Sequence, residues 1–333
     1  VSLTFQSTPA LSASKKYLAI SANTGIYVIE TLTGKVIAKL PGDIGYSATF
    51  AFSPSGEKLA CVTMDRLLVW DLKNSGQLVS EVYFPTPFSP EEVIWPSEDL
   101  VGVKAFKHLR LIDPQKQVVL WNYALGECSA FQNGRVWSIV RHNRGAFSKV
   151  LTHAAIPHAA VREMQASLAN QDLLVLKPGS SVSVFINVAL GEPERVQIYN
   201  HILEQLKEAG INVDQNSTLS IEAATEKGES ETVKYGDVRR SPLFGPSQTA
   251  TATKLTSRIT IRDNGKVIWQ AQQIAGAPPL VRLGKGQSVQ DAVNAATSPN
   301  VDFFLGQKLP RRIARHPDSG AYGSSQFTAQ GLK

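Results

Sequence analysis

Few residues of this chain have the spacing that a catalytic or metal site needs. It has no Gly-x-Ser-x-Gly nucleophile elbow, so a serine hydrolase domain is not indicated. The segment 284–288 (Gly-Lys-Gly-Gln-Ser) could hold an anion at a helix start, but its spacing is not that of a P-loop and favours an ordinary helix entry. His142, His153 and His158 lack nearby acid or thiol partners and are interpreted as surface histidines. We therefore expect no enzyme, no cofactor and no metal.

The strongest charge pattern is a basic stripe on a predicted strand of the second half. Lys254, Arg258 and Arg262 share one face of it, with Arg239 and Arg240 in the preceding loop. The window 234–266 holds seven basic and two acidic residues, which could form an anion site. Neighbouring acids favour the other interpretation, cross-strand pairing; these are Glu222, Glu226, Glu229 and Glu231. No aromatic residues interleave with the stripe, so nucleic acid binding is not expected.

Composition indicates a folded chain of two domains. The chain has 333 residues, of which 43% are hydrophobic and 19% charged, with a net charge of +6 and a pI of about 9.2. Cys61 and Cys128 cannot form a disulfide framework, which leaves the compartment open between the bacterial cell envelope and the cytoplasm. The chain begins at Val1 without a leader, as a processed chain or a fragment would. The longest uncharged apolar-leaning stretch, 178–190, is too short for a transmembrane segment.

An internal repeat organises the first half. The turn and strand at 11–20 align with 52–61, an offset of 41 residues. Downstream, Val28-Ile29-Glu30 aligns with Val69-Trp70-Asp71 at the same offset, and Leu111-Ile112-Asp113 follows 42 residues later. A weaker fourth unit lies between 128 and 152. A period of about 40–45 residues is typical of four-stranded propeller blades, each of which needs neighbours to cover its faces.

Residues 1–157 therefore resemble the WD40-like β-propeller family, on the period, the Ser-Pro-Ser-Gly turn at 53–56 and the Val-Trp-Asp strand end. The resemblance implies about four blades, either the closing part of a larger propeller or a complete four-bladed ring. It also implies a protein or peptide partner, and Trp95 and Trp121 are the candidate exposed anchors. A partial ring would leave a blade edge free for self-association.

The second half is predicted to be a smaller α+β domain. We expect a linker at 158–172, the domain at 173–310 and a flexible tail at 311–333. The predicted elements are a strand at 182–188, a helix from 191 to 210 with the apolar stripe Val196, Tyr199, Leu203 and Leu206, two hairpins (219–225 with 231–235, and 255–262 with 267–270), an exposed loop at 239–253, a helix from Ser288 and a last strand at 301–309.

The fold prediction is thus mainly β, a partial propeller followed by an α+β domain. The functional hypothesis is a non-enzymatic interaction scaffold. The alternative is a small-ligand-binding or hydrolytic protein that uses the propeller channel or the cleft between the domains. The sequence shows no converging polar residues that would favour this alternative.

Overall fold

The computed structural model describes residues 8–22, 25–40, 48–74, 76–84, 88–141, 148–236, 248–284 and 286–333. The chain forms two units. The first comprises Val1–Val175 together with Arg312–Lys333, and the second comprises Leu176–Arg311. No helix of the described part is long and apolar enough to cross a membrane.

The first three blades are four-stranded antiparallel meanders. Blade 1 consists of β1 (Ala10–Leu11), β2 (Tyr17–Ala22), β3 (Gly25–Glu30) and β4 (Val36–Leu40). Blade 2 consists of β5 (Thr49–Phe52), β6 (Lys58–Val62), β7 (Arg66–Asp71) and β8 (Gln77–Tyr83). Blade 3 consists of β9 (Glu92–Ser97), β10 (Leu100–Ala105), β11 (His108–Asp113) and β12 (Val118–Ala124). The predicted repeat is confirmed, because its aligned segments occupy equivalent strands.

The repeated acid at the end of each third strand closes the turn that follows. Asp71 Oδ1 accepts a hydrogen bond from the backbone N–H of Lys73 at 2.9 Å, and Asp113 Oδ1 accepts one from Gln115 at 2.9 Å. In blade 1 the longer Glu30 accepts from the Thr33 hydroxyl instead, at 2.7 Å. A carboxylate next to exposed turn amides satisfies donors that the sheet leaves unpaired. The acid is therefore retained where the aromatic residue is lost.

Blade 4 has three strands in the described chain, β13 (Cys128–Gln132), β14 (Arg135–Arg141) and β15 (Lys149–Ala155). Helix α1 (Ala159–Leu168) follows and buries Val161 and Leu168 in the core between blades 3 and 4. This helix lies within the predicted linker 158–172, but it packs as part of the first unit.

Apolar layers join successive blades. Blades 1 and 2 share a core around Val28 and Trp70, and blades 2 and 3 share one around Val82 and Trp95. Each blade is thus covered on a face by its neighbour, as stacked sheets require. Burial at roughly 25 cal/mol per Å² makes these layers the main stabilising contribution of the unit.

The last residues of the chain are ordered, which corrects the expectation of a flexible tail. The strand β22 (Ile313–Ala314) pairs with β16 (Leu174–Leu176), and β23 (Gly323–Thr328) adds to β12 as a parallel strand. The chain then turns back through β24 (Gly331–Leu332). Phe327 is buried between blades 3 and 4, so the tail contributes to the core although its composition is polar.

In its described residues, the second unit has one five-stranded sheet and three helices. The strand order is β18 (Asn212–Val213), β17 (Ser181–Asn187), β19 (Leu219–Tyr235), β20 (Gln248–Asp263) and β21 (Lys266–Ala275). The helices are α2 (Glu192–Glu208), α3 (Val289–Ala296) and α4 (Val301–Gly306). The molecule is therefore mainly β with a smaller α+β part, as the sequence predicts.

Two predicted elements of this unit are wrong. Residues 219–235 form the single strand β19, which pairs with β20 over most of its length, so the predicted hairpin within it does not exist. Residues 301–306 are helical because Asn300 caps that segment by accepting from the N–H of Asp302. The other hairpin is confirmed, with Asn264 and Gly265 both at positive φ (49° and 82°), as its two-residue turn requires.

The boundaries of the predicted loop and the face of α2 also change. Residues 248–253 of the predicted exposed loop belong to β20, and residues 237–247 lie outside the described residues. Helix α2 buries Ile198, Ile202 and Leu206, whereas Val196 is 47% exposed. The apolar stripe that we predicted lies to one side of the buried face. The helix has two overlapping sets of apolar residues at i, i+3 and i+4 spacing, and the pattern alone does not choose between them.

Candidate interaction surfaces

The outward face of blade 4, which we call the terminal-blade face, is not covered by another blade among the described residues. Val136 and Val140 of β14 point toward blade 3, so the alternate residues of the same strand point away from it. Cross-strand pairing places Trp137 beside His153 and Ile139 beside Leu151 on the outward side. Leu151 is 62% exposed, which is unusual for leucine in the middle of a strand. The face therefore offers an apolar strip that is exposed at Leu151 and partly buried at Ile139.

Aromatic and basic groups border this strip. The rings of Trp137 and His153 lie 4.5 Å apart between centroids, and Arg135 Nη1 lies 2.9 Å from His153 Nδ1. Arginine can only donate, so His153 must accept through Nδ1 in this arrangement. Cys128 lies on the same face, opposite Ile139, and is exposed. The terminal-blade face thus combines apolar, aromatic and cationic groups.

Blade 1 also exposes apolar side chains on its outward face. Leu11 pairs with Leu18, and Ile29 pairs with Val36, on the side opposite the core shared with blade 2. Leu11 and Val36 are 51% and 49% exposed. Ile20, on the same side of the sheet, is 3% exposed, so this face is open to solvent only in part.

A groove of about 770 Å³ lies at one end of blades 3 and 4. Its walls are the turn at Lys107, the connection from Leu125 to Glu127, the end of β14 and the hairpin of β23 and β24. Glu127 accepts from Arg141 Nε and lies 2.6 Å from Lys149 Nζ. Hydrogen bonds from Lys149 and Arg141 lower the pKa of Glu127 to about 2, so this carboxyl is ionised at neutral pH.

Both candidate tryptophans are buried, which corrects their expected exposure. Trp95 is 7% exposed, and its Nε1 donates to the carbonyl of Ala51 at 3.0 Å in the layer between blades 2 and 3. Trp121 is 8% exposed and packs edge-on against the His158 ring. Both lie on strand faces that neighbouring structure covers. Of the tryptophans in the blades, Trp137 is the one on an uncovered face, and its position in the terminal blade was the available signal.

The basic stripe is present, and acids pair with two of its members. Arg258 Nη2 lies 2.5 Å from Glu226 Oε1, and Arg262 Nε lies 3.9 Å from Glu222 Oε2. These are the cross-strand acids that sequence reasoning named. Lys254 is exposed on the same strand face. Arg239 and Arg240 lie outside the described residues, so the structure does not place them relative to the stripe.

The histidines do not form a metal site in the part of the chain that the structure describes, which contains no group of three potential metal-ligating side chains. His158 Nδ1 lies 2.6 Å from the Tyr123 hydroxyl, and burial lowers the pKa of His158. His153 belongs to the terminal-blade face, and His142 lies outside the described residues. The Ser288 helix start forms a capping box with Asp291, which supports its interpretation as a helix entry.

Sequence reasoning missed a polar cluster that joins α1 to blade 3. Arg162 Nη1 lies 2.6 Å from Asp99 Oδ2, and Gln165 Nε2 bridges Asp99 at 2.9 Å and Asp113 at 3.3 Å. Burial raises the pKa of Asp99, but hydrogen bonds from Arg162, Ser97 and Gln165 outweigh it and lower the pKa to about 2. The partners are more than 50 residues apart, so no local pattern announces them. The cluster is a structural tie because its groups satisfy one another.

No family model matches the chain. A quarter of the chain matches the large ribosomal subunit protein bL19 of Bdellovibrio bacteriovorus, with 30% identity over 97 residues and 76% of that protein covered. By sequence, that quarter of the chain belongs to the bL19 family.

Two solved structures are similar at a low level. Hsv2 of Kluyvelomyces marxianus aligns with a TM-score of 0.35 and 12% identity, over 47% of each chain. The dihydro-heme d1 dehydrogenase NirN in complex with DHE aligns with a TM-score of 0.32 and 17% identity, over 44% of this chain and 34% of NirN. The blades are defined by their own strand order and by the apolar cores that they share.

Proposed function

We propose that this chain is a non-enzymatic protein-interaction scaffold whose WD40-like blades bind a partner protein through the terminal-blade face. The observation that supports this proposal is the uncovered apolar strip of Ile139 and Leu151 beside the Trp137 ring. Contact between apolar side chains and water is unfavourable, and a bound partner would remove the apolar area of this face from solvent.

The composition of the face is that of a binding surface. Trp137 is an amphipathic anchor of the kind that dominates interface energetics, and Arg135 is a cationic neighbour that can form bidentate bonds. The exposed edge of β15 adds main-chain donors and acceptors. Blade 1 has a second apolar face, so self-association of two copies is a form of the same proposal.

The test compares the full chain with Leu151→Glu, which places a charge in the centre of the strip. Leu280→Glu is the matched control, since Leu280 is 69% exposed and lies in the second unit. Proteins captured by each variant from an extract of the native organism are quantified by mass spectrometry, and the molecular mass is measured by analytical ultracentrifugation. We expect Leu151→Glu, and not Leu280→Glu, to lose a specific partner or an oligomer.

Two results would overturn the proposal. One is the same captured proteins and the same mass for all three chains. The other is reproducible substrate turnover by the purified chain that survives Leu151→Glu, because the chain would then be an enzyme.

A role at the ribosome is a second candidate, supported by the bL19 likeness of a quarter of the chain and by the net charge of +6. Co-sedimentation with purified large ribosomal subunits at two salt concentrations tests it. Saturable binding that Leu151→Glu leaves intact would favour this role over the scaffold.

A further inference from the structure

The groove of blades 3 and 4 has walls that are fixed before any ligand binds. The N–H of Leu125 donates to the carbonyl of Lys107 at 2.7 Å, and the N–H of Glu127 donates to Ile139 at 2.8 Å. Gln326 and Lys333 exchange backbone hydrogen bonds of 2.7 and 2.9 Å, which close the hairpin. A preformed groove loses little conformational freedom on binding, so contacts made in it contribute directly to affinity.

Its lining has an apolar base and a cationic rim. Leu125, Val140 and Phe327 supply the base and are at most 8% exposed. Lys107, Arg141 and Lys333 supply the cations. Glu127, the one acidic side chain among the described lining residues, is already bound by Arg141 and Lys149. The lining residues therefore have more positive than negative charge. The lining cations that Glu127 does not bind are Lys107 and Lys333, at the rim.

We propose that this groove binds an extended acidic peptide segment of the partner protein, an assignment that rests on the interaction role proposed above. Carboxylates of the segment contact Lys107 and Lys333, the lining cations that Glu127 does not engage. The side chains of Gln326 and Gln330 are within the lining to bind its main chain.

The shape and the lining favour a peptide over other anions. A groove of about 770 Å³ is much larger than a single phosphate or free carboxylate. Single-stranded RNA needs exposed aromatic rings for base stacking, and Phe327, the aromatic residue among the described lining residues, is 3% exposed. An extended acidic segment matches the size of the groove and the two lysines of its lining.

The experiment measures binding to the full chain by fluorescence anisotropy. The probes are a labelled ten-residue peptide of alternating Glu and Val and the same peptide with Lys in place of Glu. The variant is Lys107→Glu/Lys333→Glu, and the control with the same charge change is Lys15→Glu/Lys35→Glu, two exposed lysines of blade 1 that do not line the groove. We expect the groove variant to weaken acidic-peptide binding about tenfold and the control about twofold or less, with no binding of the Lys peptide.

Three results would overturn the assignment. They are no binding of the acidic peptide to the unmodified chain, equal weakening by the groove and control variants, and full displacement of the peptide by inorganic phosphate or by a single-stranded RNA. Leu151→Glu separates this assignment from the proposed function. If Leu151→Glu abolishes partner capture while the groove variant leaves peptide binding unchanged, the scaffold stands and the groove assignment fails. If the groove variant weakens peptide binding but Leu151→Glu does not change which partner proteins are captured, the terminal-blade proposal fails.

Discussion

Gly323 lies directly over the indole of Trp121, its cross-strand partner in the parallel pair of β23 and β12. A methyl group added at Gly323 would overlap Cζ3 and Cε3 of the ring. The close approach is what allows the last strand of the chain to add to blade 3. It also accounts for a strand in a segment whose glycine and serine content is typical of a tail, because the glycine is required by packing and not by flexibility.

Replacement of Gly323 by alanine should therefore loosen β23. We expect Gly323→Ala to lower the free energy of unfolding of the first unit by about 1–3 kcal/mol, since either the strand or the buried indole must move. Urea denaturation followed by tryptophan fluorescence measures the change. Gly306→Ala is the control, because Gly306 ends a helix with nothing within 4 Å of an added methyl group. Equal stability of the two variants would show that β23 does not depend on this contact.

The tie between Asp99 and Arg162 should make stability depend on acid pH. The pKa of Asp99 is about 2 in the folded chain, against an ordinary value of 3.8, so folding favours its ionised form. The stabilisation is fully present above about pH 5 and is lost as the pH falls toward 2. Asp99→Asn should cost about 1 kcal/mol at pH 7, less than the full shift implies, because the side chain is 42% exposed and water screens the pair.

Urea unfolding of the wild type and of Asp99→Asn across pH 7 to 3 measures this dependence. The difference between the two chains should shrink as the pH falls. A difference that is constant with pH would mean that the asparagine disturbs packing rather than removing a charge. Glu57→Gln, which affects a pair exposed on both sides, is the control and should change little at any pH.

The first half of the fold could be predicted because its information is local and repeated. The strand ends at Glu30, Asp71 and Asp113 recur at a fixed offset, and each closes a turn a few residues away. The second half repeats nothing, and two of its errors have clear physical causes. In β19, Lys227 and Gly228 have the composition of a turn, but the ladder to β20 continues past them through a bulge. At 301–306 the apolar run fits a strand or a helix, and only the Asn300 cap decides.

The candidate site could be predicted only in part, because it depends on which strand faces are covered by neighbouring blades. The basic stripe and its pairing with Glu222 and Glu226 followed from strand alternation. The partial exposure of Trp137 and the burial of Trp95 did not follow from it, since both tryptophans lie in similar strands. Their difference comes from neighbouring blades, one of which covers Trp95 and none of which, among the described residues, covers the terminal-blade face.

His316 should make the chain sensitive to mild acid, in a range above that of Asp99. Its burial lowers the pKa to about 4 from the ordinary 6.5, and its Nδ1 has no hydrogen-bond partner among the described residues. The unfolded chain therefore takes up the proton first, and stability falls as the pH drops from about 6.5 to 4. Between pH 7 and pH 5 the free energy of unfolding of the wild type should fall by about 2 kcal/mol more than that of His316→Leu. Parallel pH curves for the two chains in urea unfolding would contradict this assignment.

The two cysteines should report whether the terminal-blade face is occupied. Cys61 is fully buried, and burial raises the pKa of its thiol, whereas Cys128 is exposed on that face. A thiol reagent should therefore modify one cysteine per native chain and two after denaturation, with Cys128→Ser removing the native reaction. A partner or a second copy bound to the face must slow the reaction of Cys128 with the reagent. Dilution of the chain alone distinguishes the two, because it dissociates a self-associated form and so restores the fast reaction of Cys128. A bound partner that leaves the rate unchanged would show that it binds elsewhere, and the Leu151→Glu result would have to be explained by another surface.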